Sequence, residues 1–210
     1  MKTLNVVLVM IFIFYSNCIS QITQDYPFKT YLDSANNLYT AGFIMIDGQK
    51  DIYIQKFNYD GTQLWDRQIP NTMGDDRALD LIVDKSGNTY LTGFIFNEET
   101  RSNDIITIKL NSLGNVVWDS AYNHPGDDKG YAIDLSYDIE NTVDGIYVSG
   151  YVSNATSAKD FFIKKYDRNG NSLAQYTSSL GSGDDIATDI LVDNGFAYVM
   201  GYSYQGPQRM

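Results

Sequence analysis

The chain has 210 residues, of which 43% are hydrophobic and 14% aromatic, and its formal net charge is -11 at pH 7. A chain this hydrophobic can bury a core, which argues against intrinsic disorder. The negative charge disfavours nucleic acid and anionic membrane surfaces as partners, because basic residues bind both.

The first twenty residues have the pattern of a secretory signal peptide. Lys2 is followed by an apolar run from Leu4 to Tyr15, and cleavage is predicted after Ser20. The apolar run is too short to cross a bilayer comfortably, so we expect an exported mature chain without a transmembrane segment. A lipid anchor on Cys18 is the alternative, which the preceding asparagine disfavours.

A short phrase, Tyr-x-x-Gly, recurs four times after this segment. Successive copies are separated by 51, 57 and 51 residues. A period of this size is typical of repeat architectures. The phrases end at Gly42, Gly93, Gly150 and Gly201.

Each repeat contains four short runs rich in β-branched and aromatic residues, which predicts four strands. The phrase lies in the second run, and the second repeat shows the others as ALDLIVD from Ala78, DIITIKL from Asp104 and NVVWDSAY from Asn115. A glycine between the third and fourth runs predicts a tight turn with positive φ, and the Asn or Asp before it is expected to bond the backbone. These glycines are Gly61, Gly114 and Gly170.

The runs predict an all-β fold of four-stranded antiparallel blades arranged as a β-propeller. Because runs such as LDLIVD are continuously apolar, each blade is expected to hide both faces against its neighbours. The predicted units are residues 28–76, 77–128 and 129–185, followed by an incomplete unit at 186–210. About fourteen strands make about three and a half blades, fewer than in typical propellers. We therefore expect a partial, open propeller that is truncated, or whose missing blades come from another chain or a longer native protein.

The combined phrase A-x-D-x-x-x-D, G-N-x-Y-x-x-G, D-x-x-x-x-K and G-N-x-x-W is best matched from Ala78 to Trp118. It resembles the bacterial exported β-propeller repeats of the SBBP type, over residues from about 28 to 204. The third unit departs, because IENTVDGIYVSG lengthens its first hairpin and Ala174 stands where tryptophan is expected. The resemblance implies a propeller fold and export, to the surface, exterior or periplasm of a Gram-negative bacterium. It implies little about activity, because propellers host many functions.

Three Gly-Asp-Asp loops join one unit to the next. Their leading acids, Asp75, Asp127 and Asp184, are calcium candidates, because Ca²⁺ prefers carboxylate oxygens. The alternative is that they cap turns by accepting backbone hydrogen bonds, and their recurrence in every unit favours this structural role. No other cofactor is expected.

Other recurring residues have similar alternatives. Asp80, Asp134 and Asp189 lie in first strands and are expected to bond the backbone of an adjacent blade rather than line a channel, because an unpaired buried carboxylate is costly. The pair Asp104 and Lys109 predicts a strand edge with charged heads in water.

Trp65 and Trp118 each follow a turn glycine by four residues. Their rings are either platforms for sugars or packing between blades, and their recurrence favours packing.

The sequence offers no catalytic constellation and no cofactor-binding residue. Cys18 is the only cysteine and leaves with the signal peptide, and His124 is the only histidine, so Ser-His-Asp, Cys-His and His-rich metal sites are excluded. We predict a non-catalytic scaffold that binds a protein or glycan through loops such as those from Asn97 and Ser153. A glycosidase-like enzyme with acids from several blades and a truncated product without independent function are the alternatives.

Overall fold

The computed structural model of the protein describes residues 24–71, 73–153, 158–180 and 182–204. The predicted signal peptide and the lipidation alternative at Cys18 lie outside the described residues and stay predictions. The last part of the incomplete unit, residues 205–210, also lies outside them.

The described residues form fourteen β-strands and no helix. The predicted all-β class is therefore confirmed, and so is the strand number. This part of the chain contains no helix long and apolar enough to span a membrane. The strands are β1 (Gln24–Leu32), β2 (Leu38–Ile46), β3 (Gln49–Phe57), β4 (Gln63–Ile69), β5 (Arg77–Val83), β6 (Thr89–Asn97), β7 (Ser102–Leu110), β8 (Val116–Tyr122), β9 (Lys129–Tyr137), β10 (Val143–Ser153), β11 (Lys159–Tyr166), β12 (Ser172–Ser178), β13 (Asp185–Asp193) and β14 (Phe196–Ser203).

The strands pair in chain order into four antiparallel sheets. The first sheet is β1–β4, the second β5–β8 and the third β9–β12, and the fourth is the hairpin β13–β14. Over the described ranges no sheet closes on itself. The described residues thus form three four-stranded sheets followed by a two-stranded one.

The sheets stack face to face, and the core lies between them. One cluster joins Ile52 and Ile54 of the first sheet to Ile106 and Ile108 of the second. A second cluster joins the opposite face of the second sheet to the third sheet. The first strands β1, β5, β9 and β13 contact one another in succession, so they lie together on one side of the stack. Each middle sheet therefore buries both faces, as its continuously apolar strands require.

At two positions the outer face of the first sheet is polar where the matching face of the second is apolar. Strand register places Thr40 and Gln55 at the positions of Leu91 and Ile108. The Thr40 hydroxyl donates to the Gln55 side chain at 3.3 Å.

The turns between third and fourth strands have the predicted geometry. Gly61, Gly114 and Gly170 have φ values of 87°, 77° and 86°. In the second sheet, the Asn111 side chain accepts hydrogen bonds from the backbone N–H groups of Leu113 and Asn115, both at 3.0 Å. These two predictions are confirmed.

The third sheet is longer than the second, as its first hairpin predicts. β9 has nine residues where β5 has seven, and β10 has eleven where β6 has nine. The recurring aspartates Asp80 and Asp134 nevertheless differ by two residues in register, because Gly150 pairs with Gly130 whereas Gly93 pairs with Ala78. The extra residues of β9 shift its recurring aspartate along the strand.

Candidate functional site: the acidic junctions between sheets

The leading aspartate of each Gly-Asp-Asp loop contacts the third strand of the preceding sheet. The Asp127 carboxylate accepts hydrogen bonds from the backbone and side-chain nitrogens of Asn103, both at 3.0 Å. Asp184 accepts one from the backbone of Lys159 at 3.1 Å, and the ammonium of Lys159 lies 3.6 Å from it. Asp75 pairs with Lys50 in the same way. These carboxylates link neighbouring sheets.

The second aspartate of each loop is buried. Asp76 accepts a hydrogen bond from the backbone N–H of Phe96 and Asp128 from that of Ser153, both at 2.8 Å. Phe96 lies near the end of β6 and Ser153 at the end of β10, the second strands of the sheets that follow the two loops. The loop is therefore fixed to the sheets on both sides, and the recurring acids have a structural use.

The calcium candidates Asp75, Asp127 and Asp184 lie in three separate junctions. Within the described ranges, no group of three or more His, Cys, Asp or Glu side chains is arranged to hold a metal ion. Each candidate carboxylate already has protein donors. Calcium binding here stays a prediction, and the observed partners give these carboxylates the structural role of linking neighbouring sheets.

Within the Gly-Asp-Asp loops, two buried carboxyl groups have raised pKa values. Burial raises the pKa of Asp76 to about 6 and that of Asp128 to about 7, although a backbone hydrogen bond to each opposes the shift. The nearby carboxylate of Asp51 adds to the first shift and that of Asp104 to the second. Such values suit a general acid, but the two residues are 1% and 0% exposed. A substrate cannot reach them.

These raised pKa values predict a pH-dependent stability. The carboxyl group of Asp128 prefers its protonated form in the folded protein, so its stabilising contribution is complete below pH 4 and is lost as pH rises through about 7. We expect the Tm to fall between pH 5 and pH 8, and Asp128→Asn to reduce that fall by about 5 °C. Thermal melts followed by circular dichroism measure it.

The control for this experiment is Asp119→Asn, an exposed position on β8 that is not among the groups acting on the pKa of Asp128. It should keep the pH dependence of the wild type. Equal slopes for the wild type and Asp128→Asn would contradict the assignment.

The aspartates of the first strands bond the next sheet, as predicted. The Asp80 carboxylate accepts a hydrogen bond from the backbone N–H of Ile133 at 2.9 Å, and the Asp134 carboxylate accepts one from that of Val192 at 2.6 Å. Asp189, the third of the series, is exposed on the fourth sheet, which faces no further sheet in the described part of the chain. A structural role is confirmed for the first two.

The tryptophans pack between sheets, which confirms the favoured alternative. The indole N–H of Trp65 donates to the carbonyl of Ser112, and that of Trp118 to the carbonyl of Arg168, both at 3.1 Å. Their rings cover the turn glycines of the following sheet, so closely that a Cβ on Gly114 or Gly170 would lie 2.8 Å from the indole. The rings are thus anchored to a turn rather than presented as open platforms.

The pairing of lysine with tyrosine across strands was missed in the sequence. Lys109 is opposite Tyr90 in the register, and its ammonium lies 5.1 Å from the ring centre. The equivalent distances are 4.9 Å for Lys56 over Tyr39 and 4.8 Å for Lys165 over Tyr147. The signal was available, because Tyr-x-x-Gly and D-x-x-x-x-K recur together.

The prediction of a strand edge for Asp104 and Lys109 is wrong. β7 lies between β6 and β8, and Asp104 is 2% exposed. The Asp104 carboxylate accepts a hydrogen bond from the side-chain amide of Asn97 at 2.7 Å. The pair of charges Asp104 and Lys109 predicts an edge in water, but the strand pairs on both sides.

A groove of about 140 Å³ lies at the turn end, between the second and third sheets. Its lining includes Lys85, Lys109, Asn141 and Arg168. Sites for drug-sized ligands are larger, from about 300 Å³. The groove can hold a small ion or a few waters, and it is too small to enclose a sugar chain.

Comparison with known protein families finds no family that matches this chain. No curated protein was found to match it either.

Proposed function

We propose that the chain is an exported, non-catalytic scaffold built of β-propeller blades, which binds a protein or a glycan through its loops at the cell surface or outside the cell. The observation that carries this proposal is the stacking of four-stranded antiparallel sheets with their first strands side by side. Blades of a propeller have this arrangement.

The loops between second and third strands form the proposed binding end. The β6–β7 turn exposes Glu99 and Thr100 beyond the sheet, and Arg101 in this turn has a φ of 57°. The side-chain oxygen of Asn97 accepts a hydrogen bond from the backbone N–H of Glu99 at 2.9 Å, which holds the turn. A rigid scaffold with ordered loop tips is how repeat folds commonly present binding residues.

The glycosidase-like alternative gains no support from the carboxyl groups with raised pKa. Asp76 and Asp128 are buried in junctions between sheets. A retaining or inverting glycosidase requires two carboxyl groups that both reach the glycosidic bond.

The loop proposal is tested with a glycan array followed by surface plasmon resonance on the ligand found. Glu99→Lys should weaken binding about tenfold, because a contact to a charged group at an interface is worth about 1.4 kcal/mol. The matched control is Glu140→Lys, an exposed position in the β9–β10 turn at the opposite end. Equal effects of the two changes, or no ligand for a folded sample, would contradict the proposal.

A further inference from the structure

The groove at the turn end, between the second and third sheets, is lined by basic side chains in an acidic protein. Lys85, Lys109 and Arg168 belong to its lining, and Asp84 is the one acid among the described residues that line it. The chain as a whole carries 26 acidic and 15 basic residues. The local balance of charge in the groove is thus the reverse of that of the chain.

The Asp84 carboxylate is used within its own turn. One oxygen accepts hydrogen bonds from the backbone N–H groups of Ser86 and Asn88, at 2.8 and 2.9 Å. The other accepts hydrogen bonds from the side-chain amide of Asn88 at 2.8 Å and from the hydroxyl of Tyr90 at 3.2 Å. This carboxylate therefore caps the turn, and its oxygens are already occupied by four donors.

The basic groups have mostly uncharged partners. The ammonium of Lys85 donates to the side-chain oxygen of Asn141 at 2.7 Å, and that of Lys109 to the backbone carbonyl of Arg168 at 3.2 Å. The Arg168 guanidinium lies 4.0 Å from the carboxylate of Asp138, at the outer limit of an ion pair. Three positive charges therefore share the groove with little neutralisation.

The titration of Lys109 reflects this excess of positive charge. Burial lowers the pKa of Lys109, the carboxylate of Asp84 opposes this shift, and the Arg168 guanidinium lowers the pKa further. An anion between the basic groups would favour their charged forms.

Two of the three basic residues are departures from the repeat. Lys85 follows the capping aspartate of its turn as Ser34 does in the first sheet. Arg168 offers its carbonyl to the tryptophan of the preceding sheet as Ser112 does. Serine therefore meets the structural needs of both places, and the positive charges at this junction need another explanation.

The wall of the groove comes from a third departure. β10 begins at Val143, seven residues before Gly150, whereas β6 begins at Thr89, four residues before Gly93. The lengthened hairpin of the third sheet contributes to the lining Tyr137, Asn141, Thr142 and Val143. The added length and the two added charges thus occur together at one junction.

We propose that this groove binds a phosphate group, either the free ion or the terminal phosphate of a larger ligand. Arg168 contacts two phosphate oxygens from the third sheet, and Lys85 and Lys109 donate to the group from the second. The volume of about 140 Å³ admits such a group. The groove lies at the opposite end from the β6–β7 turn, so the inference goes beyond the loop function and does not depend on it.

The test is a titration of the isotope-labelled protein with inorganic phosphate at pH 7, followed by amide chemical shifts, with sodium chloride at equal ionic strength as the reference. We expect saturable shifts at the amides of Ser86, Asn141 and Asn169, with a Kd of about 1 mM. Lys85→Ser and Arg168→Ser should each weaken binding about tenfold, because a charged hydrogen bond is lost.

The two variants carry the serine found at the matching places of the first junction, so we expect them to fold, and thermal melts check this. The matched control is Arg101→Asn, which removes an exposed positive charge from the β6–β7 turn. Arg101 has a φ of 57°, which asparagine tolerates. This variant should bind phosphate as the wild type does.

Methyl phosphate, titrated in parallel, distinguishes the two sources of the group. Binding equal to that of inorganic phosphate assigns the groove to the terminal phosphate of a larger ligand. Much weaker binding of methyl phosphate assigns it to the free ion, and either result supports the site.

Two results would overturn the proposal. One is the absence of saturable shifts, or shifts that sodium chloride reproduces at equal ionic strength, which is the effect of screening alone. The other is binding that Lys85→Ser and Arg168→Ser leave unchanged, or that Arg101→Asn weakens equally. Glycan binding by the loops is measured separately, so failure at this groove leaves the scaffold function standing.

Discussion

Asp80→Ala is expected to lower the free energy of unfolding by about 3 kcal/mol, because the carboxylate joins three sheets. It accepts the N–H of Ile133 in the third sheet at 2.9 Å, and the ammonium of Lys29 in the first sheet lies 2.8 Å away. It also accepts the N–H of Leu81 at 2.9 Å. Alanine leaves buried N–H groups without an acceptor, which is the costly case. Urea denaturation followed by tryptophan fluorescence measures the loss.

The matched control for this change is Asp189→Ala. Asp189 is the same residue of the repeat and accepts the N–H of Ile190 at 2.9 Å, but it is exposed. We expect a loss of about 0.5 kcal/mol or less there. Equal losses at the two positions would contradict the claim that the first-strand aspartates hold one sheet to the next.

Gly93→Ala is expected to destabilise the protein by about 4 kcal/mol, the range of severe overpacking. A Cβ at this position would lie 1.9 Å from the carbonyl oxygen of Arg77, on the neighbouring strand. β6 cannot retreat, because it is paired with β5 on one side and β7 on the other. A Cβ on Gly42 or Gly150 would likewise lie 1.9 Å from a backbone carbonyl oxygen of the neighbouring strand. This close approach explains why the phrase ends in glycine.

The control for the glycine prediction is Gly61→Asn, in an open turn with a φ of 87°. Asparagine tolerates this conformation, so we expect a loss of about 1 kcal/mol or less. A Gly93→Ala protein with the midpoint of the wild type would show that the two strands are not as close as described.

The repeat made most of the fold predictable, because each unit has the same local chemistry. The turn glycines such as Gly114 follow from a backbone that needs positive φ, and the strand runs follow from residue type. The role of Lys29 could not be predicted in this way. The first unit lacks the recurring aspartate, and only the register shows that Lys29 takes its place and pairs with Asp80.

The candidate site was harder to predict, because sequence shows which acids recur and not which are covered. The leading and second aspartates of the Gly-Asp-Asp loops are adjacent, yet Asp127 is exposed and Asp128 is buried. The exposure of Tyr198 could not be predicted from the sequence either, because Tyr198 and the buried Tyr90 occur in the same Tyr-x-x-Gly phrase. Burial depends on the presence of the neighbouring sheet, which is a property of the whole stack.

Hydrogen exchange at the amides of Ile133 and Val192 tests the stacking of the sheets most directly. Each amide lies on the first strand of its sheet and donates to a carboxylate of the preceding sheet rather than to its own sheet. We predict exchange at least about 100-fold slower than in an unprotected amide, and rapid exchange at Ile133 in Asp80→Ala. Rapid exchange at both amides in the wild type, with the β-ladders still protected, would show that the sheets do not lie side by side.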